Sequence, residues 1–322
     1  MLELPFLFAC SAGHDFARGA VNLAAHFADR IAFGMETPDF DAGRVILAEG
    51  TPEFSQALRA ELGRGASYAK AHALALEAVC PGAGAFISQP NNMLAVSYMR
   101  EIVRNDWPSA ALAHGLGVLK VKREGNFSSR AVREDLAGNA WMLPEFSREV
   151  LAESGVSDES RLWPLVQGVL LRSRAEELRK VWGIDEGIEG LFLKHWRKSR
   201  GLEDFIGRCV CARYTRSHIR RRIVYILLGL YRWEVLGAIR GGVPYARVLG
   251  FTQKGREILK RHSGIRVITR LTEAQGKIGK YFADVEYRAS QLYELTRKNP
   301  DFQRETKKPV IIHGDYSQRR DF

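Results

Sequence analysis

The sequence predicts an α/β protein in two parts: an α/β unit that begins abruptly, partway through its own pattern, and a mainly helical region that carries a small α/β element. Three observations lead there. An almost uninterrupted apolar run, Leu4 to Ala9, stands at the start of the chain with no lead-in. Strand-like runs and helical spacings then alternate up to about Leu143. From Pro144 onward, apolar residues recur mostly at the 3.6-residue helical period.

Taken in order, Leu4 to Ala9 reads as a strand buried on both faces of a parallel sheet. Phe16, Ala20, Leu23 and Phe27 recur at helical spacing, and Arg30 to Gly34 reads as a second strand ending at a glycine, so the opening is a βαβ unit. A long helical region is expected from about Glu53 to Val79, with Ala60, Gly63, Gly65, Ala69 and Ala73 permitting close packing. Gln89 to Asn92 precedes the helical stripe Met93, Val96, Met99 and Val103, and an Asn at that boundary is a natural N-cap. Leu112 to Val121 is a strand candidate, Lys122 to Gly125 a turn, and Ser128 to Arg133 the start of another helix. A boundary falls near Leu143 to Ser157. Beyond it, helices are expected over Leu162 to Val181, Gly190 to Lys198, Leu202 to Cys211 and Arg216 to Trp233. The small α/β element comprises a strand at Tyr245 to Phe251, a helix at Gln253 to His262 and a strand at Arg266 to Thr269. The division is therefore 1–145, 158–298, and a polar tail, 299–322, of a composition that suits loose order.

A chain of 322 residues, 46% hydrophobic and 26% charged, can bury one large core or two modest ones. Its net charge of +11 suits a polyanionic partner, because Lys and Arg that neutralise phosphates release counterions. Ten basic residues against Glu203 and Asp204 lie between Lys194 and Arg222, which accounts for eight of those eleven charges. A solvated helical face explains the same run equally well. Cys10, Cys80, Cys209 and Cys211 have neither a disulfide-framework spacing nor paired CxxC sets, so reduced thiols are expected. The apolar start lacks a basic leader region and carries Glu3 and Pro5, so it is not expected to be a signal peptide. Ile223 to Leu230 falls far short of the roughly 20 residues that span a bilayer. A cytoplasmic protein without membrane contact is expected, and no protein partner is inferable.

Helix N-termini that follow parallel strands attract anions, because unpaired amides and the helix dipole both favour phosphate. Three such places stand out. Gly34, at a strand end, lets a ligand approach the backbone, or is an ordinary turn glycine. Asn91 and Asn92 offer hydrogen bonds to a base or ribose, or one of them is a plain cap. Ser128, Ser129 and Arg133 suit polyphosphate, although the pattern SSxxxR arises readily by chance. Arg123 either pairs with phosphate or faces solvent. No catalytic residue and no metal ligand is assigned.

The order of these stretches resembles the bacterial tRNA(Met) cytidine acetate ligases, of the nucleotidyltransferase-like HxGH superfamily, over nearly the whole chain. The stretches are Glu-Leu-Pro-Phe at 3 to 6, Asp-Phe-Ala-Arg-Gly-Ala-Val at 15 to 21, Phe-Gly-Met-Glu at 33 to 36, and Gln-Pro-Asn-Asn-Met-Leu at 89 to 94. They continue with Lys-Arg-Glu-Gly at 122 to 125, Ser-Ser-Arg-Ala-Val-Arg at 128 to 133, Glu-Gly-Leu at 189 to 191 and Arg-Tyr-Thr at 213 to 215. The longest and most specific is Pro-Tyr-Ala-Arg-Val-Leu-Gly-Phe-Thr-Gln-Lys-Gly-Arg at 244 to 256.

The resemblance implies an N-terminally truncated, Rossmann-like nucleotidyltransferase domain followed by a mainly helical, RNA-facing domain. It implies an ATP-dependent ligase, with Mg²⁺ accompanying ATP, that activates acetate as acetyl-adenylate and acetylates the wobble cytidine of elongator tRNA(Met). By the family pattern Gly34, Asn91 or Asn92, and Arg123 contact ATP. Ser128, Ser129 and Arg133 take the place of the ISSTxxR phosphate segment. Arg213, Arg216 and Arg220, read as a helical line, are the candidates for tRNA backbone contacts. Three departures accompany the match. The family's first strand and HxGH loop would precede Glu3, the eight histidines show no H-x-G-H spacing, and Met1 reads as an internal methionine inside a strand. The loop from Arg123 to Ser128 is shorter than the family's and lacks its Tyr-His-Asp. Ala212 stands where the family has Lys. Two other readings stay open: a non-catalytic tRNA-binding relic, and a related enzyme with another acceptor.

Overall fold

Pro5 decides how the chain opens. The computed structural model describes residues 1–104, 117–122, 129–154, 156–261, 264–307 and 311–313. In it β1 (Leu2–Glu3) is only two residues long, and extended Pro5 leads directly into the short helix α1 (Phe6–Ala9). The strand expected over Leu4 to Ala9 is thus mostly helix. A short apolar run fits a buried helical turn as well as a buried strand, and this turn seats Leu7 and Phe8 in the core. Leu2 and Glu3 pair antiparallel with Val248 and Arg247, so the opening segment is not the first strand of a βαβ unit with Arg30 to Gly34. Helix α2 (Gly13–Ala25) follows. Its Gly19 lies against the Phe8 ring so closely that an added Cβ would stand 2.3 Å from Phe8 Cγ.

The first parallel pair comes next. Strand β2 (Arg30–Met35) leads into α3 (Ala42–Glu49), which Asp41 caps by accepting from the Gly43 amide, and α4 (Pro52–Gly63), capped by Thr51 with Pro52 at its start. The expected helix over Glu53 to Val79 is broken at Gly65, whose φ of 83° ends the helical run. It resumes as α5 (Tyr68–Val79), followed by α6 (Ala83–Ile87) and α7 (Pro90–Arg104). These helices carry the chain across to β3 (Gly117–Lys122), which pairs parallel with β2 from Arg30↔Gly117 to Met35↔Lys122. Residues 112–116 of the expected strand lie outside the described residues. Met35, Val45, Phe54, Leu76, Phe86 and Val96 form the core of this part. Helices α8 (Ser129–Glu134), α9 (Leu136–Asn139) and α10 (Glu145–Ser154) lead on.

The remaining helices enclose a second, larger core. Leu162 to Val181 resolves into α11 (Trp163–Arg172) and α12 (Ala175–Leu178), and α13 (Ile188–His195) and α14 (Leu202–Cys209) follow close to expectation. The helix expected over Arg216 to Trp233 is interrupted: α15 (Arg216–Leu228) ends at Gly229 in the left-handed conformation, φ 59°, and α16 (Arg232–Ile239) starts afresh. Tyr245 to Phe251 contains two short strands, β4 (Ala246–Val248) and β5 (Gly250–Thr252), and α17 (Gln253–Arg261) and β6 (Val267–Ile268) complete the element. The three-stranded sheet has the order β1-β4-β6, with β6 parallel to β4. The 20-residue helix α18 (Gly276–Leu295), which the sequence reading did not single out, lies on this core through Phe282 and Val285. Among the described residues of the polar tail, α19 (Arg304–Lys307) precedes β7 (Ile311–His313), which pairs parallel with β5.

Leu7, Phe8 and Leu23 belong to this second core, and Phe8 stacks on Phe282 with ring centroids 5.7 Å apart. The first residues of the chain are therefore built into the same apolar interior as residues 162–285.

Candidate nucleotide site

Open α/β proteins place their ligands beyond the carboxyl ends of parallel strands. Here that edge is formed by Gly34 and Met35 of β2 and Val121 and Lys122 of β3, with the first turn of α7 brought beside it. Gly34 is half-buried in ordinary strand backbone opposite Val121.

The residue that organises this edge is Glu36. Its carboxylate accepts from the Asn91 side-chain amide at 2.6 Å and from the backbone amides of Asn91 and Asn92 at 3.3 and 3.0 Å. Burial alone would raise the Glu36 carboxyl, but these hydrogen bonds outweigh it and hold its pKa below the ordinary value. Asn92 closes the exchange from the other side. Its Oδ1 accepts from the amides of Glu36 and Thr37 at 2.9 and 3.2 Å, and its Nδ2 faces Thr37 Oγ1, Phe86 O and Gln89 Oε1 at 2.6, 3.2 and 2.5 Å. Asn92 is fully buried.

Neither asparagine is a cap, because α7 already starts at Pro90 and both lie in its first turn. The anion at this helix N-terminus is the protein's own carboxylate. Gly34, Asn91 and Asn92 thus gather at one place, with Asn92 fixing the turn after β2 and the half-buried Asn91 nearer the surface. Glu36 ends the stretch Phe-Gly-Met-Glu, and its position just past a strand ending in Gly-Met is the only sequence signal of this role. Of the phosphate candidates, Ser129 opens α8 and Arg133 is exposed in its last turn, while Arg123 and Ser128 lie outside the described residues.

A second polar group supports the same part of the fold. Glu49 accepts from His72 Nε2 at 2.9 Å and pairs with Arg100. Burial pushes Glu49 up, yet the His72 and Arg100 interactions win and lower its pKa.

The arginine candidates lie in the helical region. Arg213 is not on a helix; it sits in the turn before α15, 3.4 Å from the Glu186 carbonyl, and Thr215 caps the helix. The expected single helical line is therefore shortened to Arg216 and Arg220, one turn apart. Both pair with Glu203, Arg216 at 2.7 Å, and Arg220 also reaches Glu159 at 3.8 Å. Other quoted stretches meet far from these sites. Glu3 and Arg247 form a 2.8 Å ion pair, Arg247 also pairs with Glu305, and the Phe6 amide donates to Glu286 at 2.7 Å.

A parallel strand pair with a helix N-terminus at its carboxyl edge is the arrangement of a nucleotide-binding α/β protein. The chain belongs to the HIGH Nucleotidyl Transferase family, whose model matches residues 1–308. Its relatives include tRNA(Met) cytidine acetate ligases. That of Caldanaerobacter subterraneus subsp. tengcongensis is 29% identical over 324 residues, covering 93% of this chain and 80% of that protein. That of Mesomycoplasma hyopneumoniae strain 232 is 31% identical over 240 residues, covering 70% of this chain and 72% of that one. Among solved structures, Thermotoga maritima TmcAL bound with alpha-thio ATP shares the fold with a TM-score of 0.82, at 23% identity, over 97% of this chain and 83% of that one.

Proposed function

We propose that this chain is an ATP-dependent ligase that acetylates the wobble cytidine of elongator tRNA(Met), working in the cytoplasm. The observation that carries the reading is the likeness, over most of the chain, to relatives named tRNA(Met) cytidine acetate ligase. In the proposed reaction an acetate oxygen attacks the α-phosphate of ATP, and pyrophosphate leaves with the electrons of the broken P–O bond. The cytidine amine then attacks the acetyl carbon of the acetyl-adenylate, loses a proton, and AMP departs. Both steps need positioning and stabilisation of phosphate charge more than a protein nucleophile.

Gly34 and Asn91 contact ATP in this reading, and Asn92 acts by holding Glu36 and Thr37 in place. Arg123, Ser128, Ser129 and Arg133 take the phosphates, and Mg²⁺ arrives with ATP as part of the substrate. In this reading nucleotide handling falls to residues up to 145 and RNA contact to residues 158–298, although Leu7, Phe8 and Leu23 pack into the second core.

The test incubates the purified chain with ATP, acetate and a tRNA(Met) transcript, and seeks acetylcytidine in the nuclease digest by mass spectrometry. Acetylcytidine confined to the wobble position is expected. Salt-sensitive tRNA binding with neither product nor ATP consumption refutes the catalytic reading and favours a binding protein. Product on other tRNAs but not on tRNA(Met) refutes the assigned acceptor.

A further inference from the structure

The basic run from Lys194 to Arg222 divides sharply once its partners are assigned. Arg216 and Arg220 share Glu203, Arg208 pairs with Asp204 at 2.9 Å, and the half-buried Arg222 donates to the Gly183 carbonyl at 2.7 Å. A phosphate approaching Arg216 and Arg220 must compete with a carboxylate already between them. The turn that ends α13 is different. Lys194, Arg197, Lys198 and Arg200 are all exposed, and none forms an ion pair among the described residues. The nearest acid in sequence after Glu203, Asp204, is already engaged by Arg208 and by the Arg200 backbone amide at 3.0 Å.

Complementation of the helix dipole accounts for Lys194 in the last turn of α13, but not for three further cations beyond it. Nor is this turn simply mobile charge. Arg197 lies over the Trp196 ring at 4.5 Å, and Trp196 is buried in the core, so one guanidinium is braced before any partner arrives. The imidazole of His195, between these cations, has its pKa lowered by burial and then by Lys194, Arg208 and Lys198, which shows how little negative charge offsets them.

We infer that the unpaired turn Lys194, Arg197, Lys198 and Arg200 is where a sugar-phosphate backbone docks, rather than the Arg216 and Arg220 face of α15. This rests on the tRNA reading above. An RNA strand suits four cations within seven residues because it presents one negative charge per nucleotide and gains affinity by shedding counterions.

The experiment measures tRNA(Met) affinity across a salt series for the unaltered chain, a Lys194→Gln/Arg197→Gln/Lys198→Gln variant and an Arg216→Gln/Arg220→Gln variant. Melting curves verify that both variants fold. The triple variant is expected to bind on the order of 100-fold more weakly at about 0.1 M salt, with the log–log salt slope flatter by about 2 to 3. The double variant is expected to change affinity by less than about threefold, since it removes cations already paired with Glu203. Equal affinity and slope for the triple variant and the unaltered chain overturns the assignment, as does a larger loss in the double variant. If the triple variant loses binding to anionic phosphatidylserine vesicles while its tRNA affinity is intact, the patch belongs to a membrane surface and the assignment falls. Absence of salt-dependent tRNA binding by the unaltered chain overturns the tRNA reading as well, which separates the two failures.

Discussion

Replacing Glu286 by Gln tests the buried junction where the chain's first residues meet its last helices. Glu286 lies on α18 and accepts the Phe6 amide at 2.7 Å. Burial is the largest influence on its carboxyl and drives the pKa from 4.5 to about 7; the Phe6 hydrogen bond and Arg247 pull it down, and Glu3 and Glu305 push it up. A rise of that size corresponds to about 3 kcal/mol. Because the folded pKa is the higher one, the full stability is present below the unfolded value of 4.5, where both states hold the proton. As pH climbs from 4.5 toward 7, the unfolded chain releases its proton first and stability falls; above about 7 the loss is constant. Glu286→Gln cannot ionise and retains an oxygen for the Phe6 amide. The variant is therefore expected to match the unaltered protein near pH 4.5 and to exceed it by about 3 kcal/mol near pH 8, a Tm gain of about 4 °C for a chain of this size. Differential scanning calorimetry at fixed ionic strength across that range reads the difference directly. A Tm difference that does not change with pH would refute the reasoning.

Three further outcomes are expected. Asn92→Ala strips the amides of Glu36 and Thr37 of their acceptor and should cost about 2 kcal/mol in urea denaturation, with faster hydrogen exchange at those two amides. Unchanged exchange would show that the asparagine does not hold the turn. Glu49→Gln should be destabilising at neutral pH, because the stability from a depressed folded pKa is full above the unfolded value of 4.5; the difference, measured by melting temperature, should start to shrink as pH falls below about 4.5 and disappear only below the lower, folded pKa. Gly19→Ala gains about 1 kcal/mol of helix propensity but places a methyl 2.3 Å from Phe8 Cγ. Phe8 is fully buried and stacked on Phe282, so overpacking of about 1–3 kcal/mol should win and lower the Tm.

The parts of this fold that were legible in the sequence are those set by neighbours in the chain. Helix α2 and strand β2 follow directly from apolar spacing, and the first turn of α7 falls where Gln-Pro-Asn-Asn announces a helix start. The interruptions at Gly65 and Gly229 were visible as residues, but helical periodicity on both sides masked them; only a left-handed φ at each converts a long helix into two. The opening failed for a different reason. Leu4 to Ala9 is apolar enough for either state, and the choice is made by Pro5 and by a core whose other buried members, Leu23 apart, lie beyond residue 160.

For the candidate site, pattern located the place but not its chemistry. Gly34, Asn91 and Asn92 converge because a strand end and a helix start are natural neighbours, yet the group that fills the helix N-terminus is a carboxylate from the same chain. A search for phosphate-binding residues passes over Glu36, since an acid there looks unsuitable until its hydrogen bonds are drawn. Charge behaves likewise. Counting residues marks 194–222 as one basic run, whereas pairing splits it, because Glu203 lies 13 residues from Arg216 and 17 from Arg220 along the chain. Glu3 and Arg247 carry this furthest. They are 244 residues apart, each sits in one of the stretches on which the sequence resemblance rests, and no local pattern links them. Arg247, almost wholly buried, takes its anionic partners from the chain's first strand and from Glu305 near its end. A residue placed for that reason is a structural tie, and its appearance in a family motif is not evidence that it touches ATP or RNA.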